Sequence, residues 1–262
     1  MYSNYQYKNT KIRYRSIGKG RAVVLLHGFL ENLTMWSQIE AELSKRYRVL
    51  SIDLLGHGKS GNLGYVHTMD DQAQMVKGML KHLRLRKYIL IGHSMGGYIS
   101  LAFAELFPDA VKGICLMNSA AEPDTKEKKI NRDRAVETVK HNFKTFVRIA
   151  IPNLFAEGNR VIFKKEIDAI TDEALQLSPQ GIIAALEGMK IRKDRTKVLK
   201  EHPATKLMII GKNDPVLDRQ SLIKQAKYSK INFVELPDGH MSHIENAAAL
   251  KQALKEFVKT CN

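Results

Sequence analysis

The run Gly92-His93-Ser94-Met95-Gly96-Gly97 sets a serine between glycines two positions to either side. That spacing carries chemistry only where a strand turns abruptly into a helix. Such a turn strains the serine backbone, and the small neighbours let the helix settle close to the adjacent strands. The hydroxyl then stands above the sheet, beside helix N–H groups that favour negative charge. The chemistry on offer is attack of a serine oxygen on a carbonyl carbon. A serine alone is a weak nucleophile, so it needs a base within hydrogen-bond reach and an acid to orient that base.

The residues around the serine meet the structural condition. Residues 88–92 are an aliphatic run of the kind found in a strand buried on both faces, and 95–107 read as a helix stopped before Pro108. Comparable strand runs occur at 22–26, 48–53, 111–117, 206–210 and 231–236. Residues 11–17 alternate apolar and polar side chains and end at Gly18-Lys19-Gly20, which reads as a strand of an antiparallel edge hairpin. Helices are expected at 34–46, 68–83 and 242–259, with Thr68 and Asp71 as a capping pair. This alternation predicts an α/β fold with a mostly parallel central sheet covered by helices on both faces. It fails only from about 122 to 203, between Pro123 and Pro203, where the pattern is helical throughout. The 262 residues suit one large domain with an insertion, or two small ones.

With these elements in place, the chain resembles the α/β-hydrolase superfamily, in its serine-nucleophile, carboxylesterase-like branch. The resemblance rests on His27-Gly28-Phe29 after one strand and Asp53-Leu54-Leu55-Gly56-His57-Gly58-Lys59-Ser60 after the next. The Ser94 elbow, Gly211-Lys212-Asn213-Asp214-Pro215 and Gly239-His240 complete it. It implies an α/β-hydrolase fold with a core domain of residues 1–121 and 204–262, and a variable helical cap (lid) insertion of residues 122–203. It also implies the order serine, acid, histidine for a catalytic triad.

Asp214 is the expected acid, because it follows the 206–210 strand; Asp218 reads as a helix start, and Glu122 is the fallback. Two histidines compete for the base. Ser242-His243-Ile244-Glu245 reads as a capping box, which puts His243 in the first helical turn and leaves His240 in the preceding loop. A loop position suits an imidazole that must reach over the sheet edge, so His240 is preferred. His27 and His57 are expected to brace their loops, and His93 to be the variable residue of the elbow. The resemblance implies an oxyanion hole from the backbone N–H groups of Phe29 and Met95. The second also follows from its place at the start of the helix after the nucleophile. Phe29 and Trp36, with Met and Leu side chains from the cap, are expected to line a largely apolar substrate pocket.

Composition narrows the function classes. The chain is 44% hydrophobic and 26% charged, which excludes a disordered or collagen-like protein. No apolar run approaches the roughly 18 residues of a membrane helix, and the first ten residues lack a signal-peptide stretch, so a cytoplasmic protein without membrane insertion is expected. The two cysteines, Cys115 and Cys261, form neither a disulfide framework nor a metal motif. The net charge of +15 is spread along the chain without interleaved aromatics, so no nucleic-acid partner is expected. It does raise the option of an anionic group on the substrate.

The expected activity is that of a serine hydrolase cleaving a small or medium carboxylic ester, or a related acyl compound, through an acyl-enzyme, with no cofactor and no metal. The alternatives are another triad-based reaction (thioesterase, C–C hydrolase, perhydrolase or lyase) and a non-catalytic small-molecule receptor. A serine nucleophile argues against the dehalogenase and epoxide-hydrolase branches, which need a carboxylate.

Overall fold

The computed structural model describes residues 1–261. Its centre is an eight-stranded sheet built from β1 (Ser3–Tyr7), β2 (Thr10–Ile17), β3 (Ala22–Leu26), β4 (Arg48–Ile52), β5 (Tyr88–His93), β6 (Val111–Met117), β7 (Thr205–Gly211) and β8 (Asn232–Leu236), in the order β1-β2-β4-β3-β5-β6-β7-β8. β2 runs antiparallel to both β1 and β4, and every other pairing is parallel. Among the described residues no helix is long and apolar enough to cross a membrane.

Helices cover both faces. In chain order they are α1 (Ser37–Leu43), α2 (Met69–His82), α3 (Met95–Leu106), α4 (Lys126–Ala150), α5 (Asn159–Ile162), α6 (Lys164–Ala174), α7 (Pro179–Lys190), α8 (Thr196–Glu201), α9 (Arg219–Tyr228), α10 (Ser242–Glu245) and α11 (Ala247–Thr260). Strand periodicity sorts the core. Val24, Leu26, Leu50, Ile52 and Leu90 pack beneath α2 and α3, while Val23, Leu25, Val49, Ile89 and Ile91 face α1 and α11. Each inner strand is therefore apolar on both sides, which is why it reads as an unbroken run. Between β6 and β7 the chain is helical from α4 to α8, with a break in α4 at Asn142.

Three elements differ from the sequence reading. The hairpin joins β1 to β2 through Lys8 and Asn9, and β1 was not visible because an edge strand with one partner needs little apolar pattern. The first helix begins as a 3-10 turn at Leu33–Trp36, capped by Asn32, and ends at Leu43. The C-terminal helix breaks at Asn246 into α10 and α11. The capping box at 242–245 is not formed: the Ser242 hydroxyl donates to Asn118 Oδ1 at 2.7 Å, and Glu245 instead accepts from the Met241 and Ala156 N–H groups. A tertiary partner thus takes the hydroxyl that local sequence assigned to the cap.

Candidate active site

The loops that leave the carboxyl ends of β3, β5, β7 and β8 converge on one side of the sheet, where ligands of open parallel sheets bind. Ser94, between β5 and α3, has φ 49° and ψ −113°, a backbone state that side-chain-bearing residues rarely adopt. The surroundings hold it there. Its N–H donates to Met117 O at 2.9 Å, and its carbonyl accepts from the Ser119 hydroxyl at 2.7 Å. A Cβ at Gly96 would overlap the Leu26 carbonyl, so only glycine lets α3 lie this close to β3.

His240 follows β8, and its Nδ1 donates to Asp214 Oδ2 at 2.8 Å. Asp214 follows β7 and accepts three further bonds: Asn118 Nδ2 on Oδ2 at 3.0 Å, and the Val216 and Leu217 N–H groups on Oδ1 at 2.8 and 3.0 Å. Burial opposes its charge, but the adjacent His240 and these donors outweigh that and hold the carboxyl below the usual carboxylate range. Asn118 also donates to Gly239 O at 3.2 Å and so ties the acid loop to the histidine loop. The sequence reading missed Asn118, although a polar residue directly after a buried strand was a signal available to it.

Ser94 and His240 line one cavity of about 110 Å³ with Phe29, Tyr98, Arg132 and Met189. Ala150 and Leu154 add apolar walls from the helical segment between β6 and β7. Among the described residues, the N–H groups of Phe29 and Met95 have no partner within the protein; Phe29 lines this cavity, and Met95, directly after Ser94, is buried behind it. A second cavity, of about 230 Å³, is bordered by Glu31, Thr34, Glu173 and His243 and includes neither Ser94 nor His240.

The remaining candidates fall elsewhere. Trp36 is not in the pocket. It is fully buried on the opposite face of the sheet among Val23, Leu25 and Ile39, because the turn at Leu33–Trp36 points it under the strands. Glu122 is exposed and meets Ser221, and Asp218 caps α9 through Ser221 N–H at 2.7 Å. His27 Nε2 accepts from Leu54 N–H at 3.0 Å, and His57 Nδ1 bonds Leu55 O at 3.1 Å, so both tie loops together.

His93 is not an indifferent elbow residue. Its Nδ1 bonds Glu31 Oε2 at 2.6 Å and its Nε2 bonds the His240 carbonyl at 2.9 Å. Both partners are acceptors, so making both bonds requires a proton on each nitrogen, which is the imidazolium form. Burial opposes that charge, but Glu31 outweighs it and raises the histidine above its ordinary value. Glu31 Oε2 also accepts Gly28 N–H at 2.7 Å, so one carboxylate oxygen connects the Phe29 loop, the elbow and the histidine loop. His243 lies 3.8 Å from Glu31 through Nε2. Burial, reinforced by His93 and His240 and opposed by Glu31, pushes His243 down to about 4, so it is neutral.

A family model described as the alpha/beta hydrolase fold matches residues 21–148. An esterase from Thermogutta terrifontis, solved with malate bound, is 30% identical with a TM-score of 0.92, over 100% of this chain and 99% of that one. The chain belongs to the α/β-hydrolase superfamily. It is also 30% identical over 248 residues to the dihydrolipoyllysine-residue acetyltransferase component of an acetoin cleaving system from Pseudomonas putida. That match takes in 92% of this chain but only 64% of the relative, and several mycobacterial relatives match over 31% of theirs. The enol-lactonase of Burkholderia xenovorans LB400, 23% identical over 98% of this chain and 100% of that one, shares the α/β-hydrolase fold with a TM-score of 0.90.

Proposed function

We propose that the chain is a serine hydrolase of carboxylic esters, with Ser94 as nucleophile, His240 as base and Asp214 as its orienting acid. The observation that carries this reading is the strained Ser94 backbone at a cavity that also contains an imidazole fixed through Nδ1 by a buried carboxylate. Fixing Nδ1–H leaves Nε2 as the acceptor, the form a general base needs. The 30% identical esterase supports ester chemistry.

In the reaction, His240 Nε2 takes the Ser94 proton as Oγ bonds to the ester carbonyl carbon. The carbonyl oxygen becomes an oxyanion between the Met95 and Phe29 N–H groups, each donor of this kind being worth about 3–4 kcal/mol. Collapse expels the alcohol, which leaves with the proton from His240. Water then attacks the acyl-enzyme and gives a proton to the same nitrogen; as the second tetrahedral intermediate collapses, His240 returns that proton to Ser94 Oγ, which leaves as the free hydroxyl and releases the acid. Residues 122–203 act as a cap that closes the acyl pocket through Ala150, Leu154 and Met189, over a core of residues 1–121 and 204–262.

A fluorophosphonate probe tests the assignment. Wild-type protein should label, Ser94→Ala should not, His240→Ala should label at least about 100-fold more slowly, and His243→Ala should retain labelling. Labelling that survives Ser94→Ala overturns the nucleophile. Labelling without turnover of any ester, thioester or lactone favours the non-catalytic receptor reading.

A further inference from the structure

Arg132 of α4 is the only Lys, Arg, Asp or Glu side chain among the residues lining the cavity of Ser94 and His240. Its setting is built rather than incidental. Its Nε and Nη2 both bond the Asp124 carboxylate, while its Nη1 has no partner within the described residues. Asp124 is itself buried and is shared with a second arginine, Arg192, whose side chain is only 4% exposed. Arg192 is fixed in turn by two bonds to Glu122 O, at 3.2 and 3.1 Å, and lies 4.1 Å over the Tyr98 ring.

One carboxylate therefore serves two guanidinium groups, and the cluster keeps one positive charge uncompensated. A buried surplus charge is costly without a partner. Of the two arginines Arg132 is the more exposed, at 19% of its side chain against 4%, and it is the one that lines the cavity of Ser94 and His240. Among the described residues, no acidic side chain lines the cavity to answer it.

Resting on the serine-hydrolase reading, we infer that the substrate is an ester that also carries a carboxylate, held by Arg132 while Ser94 attacks the ester carbonyl. A guanidinium fork matches the planar carboxylate, and the single surplus charge matches a monoanion better than a phosphate dianion. Asp124, itself held by Arg192, fixes the angle of Arg132 through Nε and Nη2 and leaves Nη1 without a partner among the described residues. The cavity of about 110 Å³ limits the ester to a small one.

Four esters followed by proton release decide the matter. Monoethyl succinate, with the charge on the acyl side, is paired with neutral ethyl 4-oxopentanoate. Butanoyloxyacetate, with the charge on the leaving group, is paired with neutral acetonyl butanoate. Wild-type kcat/KM should favour the charged member of one pair by at least about tenfold, and the pair concerned reports on which side of the scissile bond Arg132 lies. Arg132→Met should bring that ratio close to one, and Arg132→Lys should retain part of it. A wild-type ratio near one in both pairs, or a preference that persists in Arg132→Met, overturns the inference whether or not other variants fold. Labelling of Ser94 without turnover of either carboxylate ester overturns it alone, whereas absence of both labelling and turnover overturns the hydrolase reading as well.

Discussion

Replacing Asp214 by asparagine tests whether the carboxylate sets the tautomer of His240. All four hydrogen bonds to Asp214 arrive from donors: His240 Nδ1 and Asn118 Nδ2 at one oxygen, Val216 and Leu217 N–H at the other. An amide offers oxygen on one side only. The two backbone donors cannot turn away, so the asparagine carbonyl stays with them and its NH₂ faces His240 and Asn118. Asn118 can present its own oxygen there only by giving up Gly239 O and the Ser242 hydroxyl. His240 must then accept at Nδ1 and carry its proton on Nε2, the atom that takes the Ser94 proton in the proposed reaction. A tautomer error of this kind lowers kcat by about four orders of magnitude, or roughly 5 kcal/mol of transition-state stabilisation. Steady-state hydrolysis of the best ester should show this loss in kcat with KM changed little, and fluorophosphonate labelling should slow in parallel. Circular dichroism and the melting temperature establish that the variant folds. A folded Asp214→Asn protein that keeps more than about a tenth of wild-type kcat would refute the argument.

Glu31→Gln removes the charge that faces the His93 imidazolium and should cost about 1.5–3 kcal/mol, the range for a hydrogen bond to a charged group. Glu31 lies below its ordinary value and His93 above 6.5, so the pair contributes fully between about 4.5 and 6.5. The contribution is lost as pH falls through the lowered Glu31 value or rises through the raised His93 value. Urea unfolding of both proteins from pH 5 to 9 should therefore show the gap narrowing on the alkaline side, and a flat gap would count against a charged His93. Gly96→Ala forces a methyl into the Leu26 carbonyl; an overpacking cost of about 1–3 kcal/mol or more should lower the melting temperature by several degrees, and an unchanged value would contradict the close approach of α3. Cys115 and Cys261 are fully buried, and burial raises both thiols. A thiol reagent should find none in the native protein and two after denaturation.

The sequence determined those features that depend on local pattern. Doubly buried strands need continuous aliphatic runs, so the strands at 22–26, 88–92 and 111–117 were legible to within a residue. The Ser94 elbow was legible because a close helix–strand approach tolerates only glycine, and glycine at fixed offsets is visible in any sequence. Asp214 stood out as the residue after a recognisable strand and His240 as a loop histidine, and their 2.8 Å contact is what the fold adds. Tertiary structure decided whatever depended on a distant partner. Ser242 looked like a helix cap until Asn118, far away in the chain, took its hydroxyl. Trp36 looked like a pocket residue until the turn at Leu33–Trp36 placed it under the sheet. The Glu31–His93 pair and the Arg132–Asp124–Arg192 cluster join residues from separate loops and helices. Charge compensation is a property of neighbours in space, and residue order along the chain carries no trace of it.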